Sequence, residues 1–506
     1  MTTLPQNASR AIVEPPLVLE RASTAPLSGQ ITGQLRTAVL TGRLRAGERL
    51  PSSRALAASL GVSRTVVTNA YTQLFAEGWL DGRHGSGTYV AEGAAGGAPP
   101  ASTSPFSGPP RQTDGPARLG PQPQQRPAPP PGGPAPAART AGAGQHAAAT
   151  GTPVELRPGI PWVPGIDRAA WRRAWRQAGT AAPSRWPDPR GLPALRTALC
   201  AHLRRTRGLD CTPDHVLITR GVGSGLGLLA SALLRPGDQA GIEDPGYPVG
   251  RSILAAWGAR VTPCPVDARG LVTSGLPDGL RLIYVTPAHQ YPLGGRLPVP
   301  RRQALAAWAR TSGALIVEDD YDSEFRYDVA PLPALYGLDP DVVIYLGTTA
   351  KTLTPAFGVG WLVARPDLVG TLAQARESQG DRTGESAQRA LLAMIESGDL
   401  DRHIRRMRRV YARRRDAIVS ILGDPAVPGT LRGDTAGLHV VLELPAGQVD
   451  EVVAAARQRG LVLHTLHRYF AGPPSVAGLV LGYGAVPEDQ VAAAATTLRD
   501  VLLARV

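Results

Sequence analysis

Residues 92–150 contain almost nothing that can build a core. Pro, Gly, Ala and Ser dominate the run, which includes Pro127-Ala128-Pro129-Pro130-Pro131. Such a composition cannot bury enough apolar surface to offset the entropy of ordering it. As a flexible coil its 59 residues span about 40 Å root-mean-square, and further where polyproline geometry stiffens them. The chain therefore divides into a small body over residues 17–91, a disordered linker over 92–150 and a large body over 151–506. A length of 506 residues, too great for one ordinary core, agrees with that division.

A net charge of +13 fits contact with nucleic acid, although net charge by itself does not single out that partner. Cys200, Cys211 and Cys264 form no Cys-x-x-Cys pair, no disulfide framework and nothing with the spacing of a metal site. A reducing cytoplasm is the expected compartment. The N-terminus has no apolar leader, and no window offers the roughly 18 apolar residues a membrane-spanning helix needs, so neither secretion nor insertion is expected.

In the small body, Ile31, Leu35, Val39 and Leu40 fall at helical spacing ahead of Thr41-Gly42. Leu50–Tyr71 reads as a helix, a tight turn through Gly61 capped by Ser63, and a second helix with an exposed polar first turn. That order is a helix-turn-helix, which presents the start of its second helix to base edges in the major groove. Trp79–Val90 follows as strand, glycine-containing turn and strand, forming a wing.

Lys351 is the only lysine in the chain; the other 53 basic residues of the 54 are arginine. A desolvated lysine amine can lose its proton and attack an aldehyde, whereas a guanidinium stays protonated. Lys351 follows the apolar run Val342-Val343-Ile344-Tyr345-Leu346 and the small-residue turn Gly347-Thr348-Thr349-Ala350. Leu282–Val285 opens likewise into Thr286-Pro287-Ala288-His289-Gln290, and Ala314–Val317 into Glu318-Asp319-Asp320-Tyr321. Short apolar strands alternating with helical stretches such as Arg301–Arg310 predict a parallel sheet covered by helices, with ligands bound at the carboxyl ends of its strands. An amine, an acidic pair and a tyrosine are thus expected to converge.

Residues Pro26 to Val90 resemble the winged helix-turn-helix (α+β) of GntR-type regulators, with Leu50-Pro51-Ser52-Ser53-Arg54-Ala55-Leu56-Ala57, Leu60-Gly61-Val62-Ser63-Arg64, Glu77-Gly78-Trp79-Leu80 and Gly85-Ser86-Gly87-Thr88 carrying the likeness. Residues 152–506 resemble α/β fold-type I aminotransferases, which use pyridoxal 5'-phosphate (PLP), through Asp188-Pro189-Arg190-Gly191, Glu243-Asp244-Pro245-Gly246-Tyr247 and Glu318–Tyr327. Head, linker and body together resemble the MocR/GabR family of bacterial transcription regulators.

The resemblance implies operator contacts from Arg54, Ser63, Arg64, Thr65 and Thr68, with His84 and Gly85 at the wing tip. It makes Lys351 the Schiff-base lysine and Asp319 the carboxylate on the pyridine nitrogen. Tyr321 would bond the phenolic oxygen and Tyr247 would flank the ring; for the phosphate the chain itself offers Thr348 and the loop Gly221-Val222-Gly223-Ser224-Gly225, with Gly223 and Ser224 at a helix start whose backbone amides can bind an anion. It also implies a homodimer, with a large subdomain at about 205–375 and a small one at about 151–204 and 376–506. The expected function is a DNA-binding transcription regulator that senses PLP or a PLP–amine adduct, with at most weak transaminase activity.

The chain departs from the family pattern at four places. Ala350 replaces the serine before the lysine, Gly358 the phosphate arginine, Trp186 a tyrosine that reaches the partner's phosphate, and Val480 the arginine that grips a substrate carboxylate. Arg468 and Arg251 are the candidates to take over that last role. The first three changes favour weakened cofactor binding, and hence the alternative of a regulator answering to another ligand. Val480 counts against the other alternative, a working aminotransferase with a DNA-binding appendage. The arginine-rich helix Leu400–Asp416 reads as a solvated face rather than a second nucleic-acid surface.

Overall fold

The structure, a computed structural model, describes residues 13, 15, 17–21, 23, 25–83, 87–91, 153–328 and 332–505. The expected linker, 92–150, and the wing-tip residues His84 and Gly85 lie outside the described residues. Among the described residues no helix is long and apolar enough to cross a membrane, and no cluster of side chains could hold a metal ion.

The head comprises α1 (Leu27–Leu40), β1 (Arg49–Leu50), α2 (Ser53–Leu60), α3 (Arg64–Glu77), β2 (Leu80–Arg83) and β3 (Gly87–Val90), the strands forming an antiparallel sheet in the order β1-β3-β2. Ser52 caps α2 by accepting from the Ala55 amide, and Gly61 ends it at φ 60°, a conformation glycine adopts without a Cβ clash. Ser63 occupies the cap position of α3, but its hydroxyl makes no capping bond, contrary to expectation. Its side chain is exposed, and the Val66 amide in the first turn of α3 donates to the Ser63 carbonyl instead, at 3.1 Å. Ile31, Leu35, Val67, Leu74 and Trp79 form the head's core, and Val299 of the large body packs into it. Arg296 also donates to the Ala76 carbonyl at 3.0 Å, so the head docks on the body by the carboxyl end of α3.

The body begins with β4 (Val154–Glu155), α4 (Arg168–Thr180), α5 (Pro193–Arg207), β5 (Val216–Thr219), α6 (Val222–Leu233), β6 (Gln239–Asp244), α7 (Pro248–Ala256), β7 (Arg260–Asp267), β8 (Gly270–Leu271) and β9 (Leu280–Val285). It continues through α8 (Val299–Ser312), β10 (Leu315–Asp320), β11 (Val343–Thr348), β12 (Gly360–Val363), α9 (Pro366–Ser378) and α10 (Glu385–Glu396). Strands β5-β12-β11-β10-β9-β6-β7-β8 lie side by side in that order. The run β11 to β7 is parallel, as the apolar strands suggest, but β12 is antiparallel to both β11 and β5. Residues 349–359 contain no α-helix to carry a crossover, so β12 can only return alongside β11.

One face of the sheet packs against α4, α5, α8 and α10 through Ala174, Leu195, Leu199, Leu305 and Leu391; the other packs against α6, α7 and α9 through Leu226, Leu254 and Leu372. Residues 168–204, expected in the small subdomain, and α10 therefore belong with the large sheet. The cause is the Leu195, Leu199, Leu203 seam of α5, which needs a broad apolar surface and finds it at Ile218, Ile283 and Ile316.

The remainder is α11 (Asp399–Leu422), β13 (Thr430–Arg432), β14 (His439–Glu443), α12 (Val449–Gln458), β15 (Leu461–Val462), β16 (His464–Thr465), β17 (Gly478–Gly482) and α13 (Glu488–Leu503). Its sheet runs β13-β14-β17-β16 under the three helices, and β4 pairs with β15, tying the body's first strand to this half. The arginines of α11 are not all solvated. Arg414 is buried, donating to the Gly484 carbonyl at 2.6 Å and lying 4.4 Å over the Trp162 ring.

Candidate functional site

The carboxyl ends of the central strands open into one cavity of about 450 Å³, lined by Lys351, Asp319, Tyr321, Tyr247, Thr348 and Gly223 among others. The volume falls in the range of roughly 300–1,000 Å³ usual for small-molecule sites. β11 ends at Thr348, and the turn behind it carries Lys351, whose Nζ donates to the Gly159 carbonyl at 2.6 Å. Burial pushes this amine below its ordinary lysine value, opposed by the carboxylates of Asp322 and Asp319. The amine is thereby moved toward the neutral, nucleophilic form.

β10 delivers Asp319, only 5% exposed. Its Oδ2 accepts a hydrogen bond from Tyr284 Oη on neighbouring β9, while Oδ1 is buried with no partner among the described residues. Burial pushes the carboxyl up to about 7, against the Tyr284 bond and the pull of Lys351. The next residue, Asp320, turns elsewhere and pairs with buried Arg207 at 2.6 Å. The two adjacent acids therefore do different work, one structural and one facing the cavity.

Tyr321 follows, its Oη 3.0 Å from His289 Nδ1, which also lies 2.9 Å from Asp322 Oδ2. His289 stacks on Tyr321 with centroids 6.0 Å apart, and Tyr247 stacks on Tyr284 at 6.3 Å. Burial raises Tyr247 to about 12, keeping it protonated. Glu243, held up to about 7 by burial, accepts from Thr286 and Gln290 and anchors the loop after β9. Tyr284, Thr286, His289 and Asp322 have no role in the sequence reading. Their signal was position: each lies in, or just past, the end of a central strand.

Gly221 precedes α6, whose first residues, Val222, Gly223 and Ser224, present backbone amides with no partner inside the helix. Gly223 lines the cavity; Ser224, one step further into α6, does not. Thr348 faces the same corner, its Oγ1 3.6 Å from where a Cβ on Gly221 would sit. Val480 is 0% exposed and packs with Val441, Leu466, Tyr469 and Phe470, so no carboxylate clamp stands at that position. Arg468 lines the cavity and lies 2.6 Å from His464, whereas Arg251 does not line it and reaches only toward the Tyr469 carbonyl. Trp186 is 86% exposed.

On the head, Arg54, Ser63, Arg64, Thr65 and Thr68 are exposed around the start of α3, at the opposite end of that helix from its contact with the body. Arg64 Nε lies 3.4 Å from Ser53 Oγ, which joins the two helices of the motif.

Comparison with known proteins matches residues 27–90 to bacterial regulatory proteins of the gntR family and residues 168–470 to class I and II aminotransferases. The HTH-type pyridoxine biosynthesis transcriptional regulator PdxR of Corynebacterium glutamicum is 37% identical over 96% of this chain and 97% of its own length. The chain belongs to the MocR/GabR family of transcription regulators. Among other relatives of this family, the probable rhizopine catabolism regulatory protein MocR of Rhizobium meliloti is 32% identical over 96% of each chain. LysN, an α-aminoadipate aminotransferase of Thermus thermophilus solved with N-(5'-phosphopyridoxyl)-L-leucine, covers 70% of this chain and 94% of its own, with 26% identity and a TM-score of 0.63. An archaeal alanine:glyoxylate aminotransferase shares the fold at a TM-score of 0.65 and 23% identity. Members of this family are transcription regulators in which a GntR-type head is joined to an aminotransferase-like body of the PLP-binding kind, and this chain has both parts.

Proposed function

We propose that the chain binds operator DNA through the exposed start of α3 and senses PLP, or an adduct of PLP with an amine or amino acid, at Lys351. One observation carries the cofactor reading: a desolvated amine and a buried carboxylate, one oxygen of which has no partner among the described residues, share one cavity. That oxygen, Asp319 Oδ1, suits a protonated pyridine nitrogen, and PLP when bound supplies an aldehyde carbon for an amine and a ring that withdraws electrons. Lys351 would hold the aldehyde carbon. Tyr321, oriented by His289, would donate to the ring oxygen, Tyr247 would cover a ring face, and Gly223 and Thr348 would take the phosphate. Vitamin B6 chemistry is also what the name of the PdxR relative records.

The path from site to head is short. The loop that lines the cavity at Thr286 and Tyr291 runs on to Arg296 and Val299, which dock the head. Arg296 also pairs with Asp434 of the small subdomain at 3.0 Å, and the Asp434 amide donates to the Gly294 carbonyl at 3.1 Å. A ligand that favours one arrangement of the two subdomains thus biases the seat of the head, a population shift. Two heads in a homodimer would read two half-sites. The exposed Trp186 suits a surface that a second copy covers, and buried Val480 speaks against efficient transamination of simple α-amino acids.

The test is a spectral titration of the full chain with PLP beside Lys351→Ala, then borohydride reduction and peptide mass analysis. A visible band absent from the variant, with a reduced pyridoxyl group on Lys351, is the expected result. No band at saturating PLP would remove the cofactor from the reading and leave the DNA-binding head.

A further inference from the structure

Gly358 stands where the family resemblance implies a phosphate-binding arginine, and the surrounding backbone packs against another arginine-bearing turn. Gly358 lies at φ 64°, and a Cβ placed on it would meet nothing within 4 Å. Two residues on, a Cβ on Gly360 would come within 2.6 Å of Gly221 Cα. The loop that lacks the guanidinium therefore runs directly against the turn that opens α6. That turn carries Arg220, which lines the same cavity as Lys351 and Thr348.

We infer that Arg220 is the phosphate-binding arginine of this chain, supplying from the end of β5 the charge that Gly358 does not. The inference rests on the PLP reading of the cavity and deepens it. Arg220 lies just ahead of the amides of Val222 and Gly223, which have no partner inside the helix, and all three residues line the cavity. Backbone amides and the helix dipole already favour an anion there. Arg220 Nη2 lies 3.0 Å from Asp381, and among the described residues its Nε and Nη1 have no acceptor. Asp381 does not cancel the charge, because it is shared with Arg376 at 3.2 Å, so two arginines face one carboxylate. The Asp381 contact occupies one terminal nitrogen and leaves the other N–H groups as charged donors for phosphate oxygens.

The experiment compares full-length wild type, Arg220→Ala and Arg220→Lys for binding of PLP and of pyridoxal, which lacks the phosphate, by visible absorbance. Loss of a charge-assisted contact predicts that Arg220→Ala weakens PLP about ten- to a hundredfold and leaves pyridoxal unchanged, with Arg220→Lys between. Equal PLP affinity in wild type and Arg220→Ala overturns the inference while the PLP reading stands. So does an equal loss for PLP and pyridoxal, which would mark general damage to the cavity. If wild type binds neither, the cofactor reading itself has failed, and this inference falls with it.

Discussion

Replacing Asp319 by asparagine should make the ligand-free protein more stable while removing its grip on the cofactor ring. Asp319 is buried, one oxygen has no partner among the described residues, and burial raises its carboxyl from 3.8 to about 7. A folded-state value above the unfolded one means that the group's contribution to stability is fully present below pH 3.8 and is lost as pH rises through about 7. Each tenfold in proton affinity is worth about 1.4 kcal/mol, so ionised Asp319 costs the folded state about 4 kcal/mol at pH 8 and above. At pH 5.5 the cost is about 2 kcal/mol, because there the unfolded carboxyl is charged while the folded one is still protonated. Asparagine carries no such cost and keeps an oxygen for Tyr284. Urea unfolding of cofactor-free wild type and Asp319→Asn between pH 5.5 and 8.5 should show the variant ahead by a margin that roughly doubles across the range. Saturating PLP should reverse the order, since only the carboxylate can pair with a protonated ring nitrogen. Parallel pH–stability curves for the two proteins would refute the assignment of Asp319 as a carboxyl kept unpaired for a ligand.

Two further outcomes concern the head. Arg64→Ala should weaken operator binding and, if the side chain meets a phosphate, reduce the slope of log affinity against log salt by about 0.9; a base contact would instead cost roughly 1–3 kcal/mol on the cognate site only. Fluorescence anisotropy over a salt series separates the two, and unchanged affinity and slope would remove Arg64 from the interface. Glu77 is buried under Arg36 at 2.7 Å and also accepts from Gln73, so Glu77→Ala should destabilise the head by roughly 2–3 kcal/mol, less than a fully buried pair because Arg36 reaches water. Thermal unfolding should show an earlier transition, and an unchanged profile would mean the pair is replaced by water without loss.

The sequence was most legible where one local rule decided the outcome. Apolar strands ending in Lys351, Asp319 and Tyr321 needed only the period of the sheet and the habit of ligands to sit at carboxyl ends. The helix-turn-helix needed only spacing and a glycine at Gly61. What escaped depends on contacts between distant segments. His289 and Asp322 are 33 positions apart and meet only because β9 and β10 are neighbours. Arg220 carries no local mark of function, and it gains one only when the Gly358–Gly360 loop is seen against Gly221. Residues 168–204 join the large sheet for a related reason, since the leucine seam of α5 predicts an apolar partner without saying which sheet supplies it. Departures from a family pattern are thus poor guides when taken singly. Gly358 read alone removes a charge from the site, whereas the packed backbone places Arg220 beside the same corner.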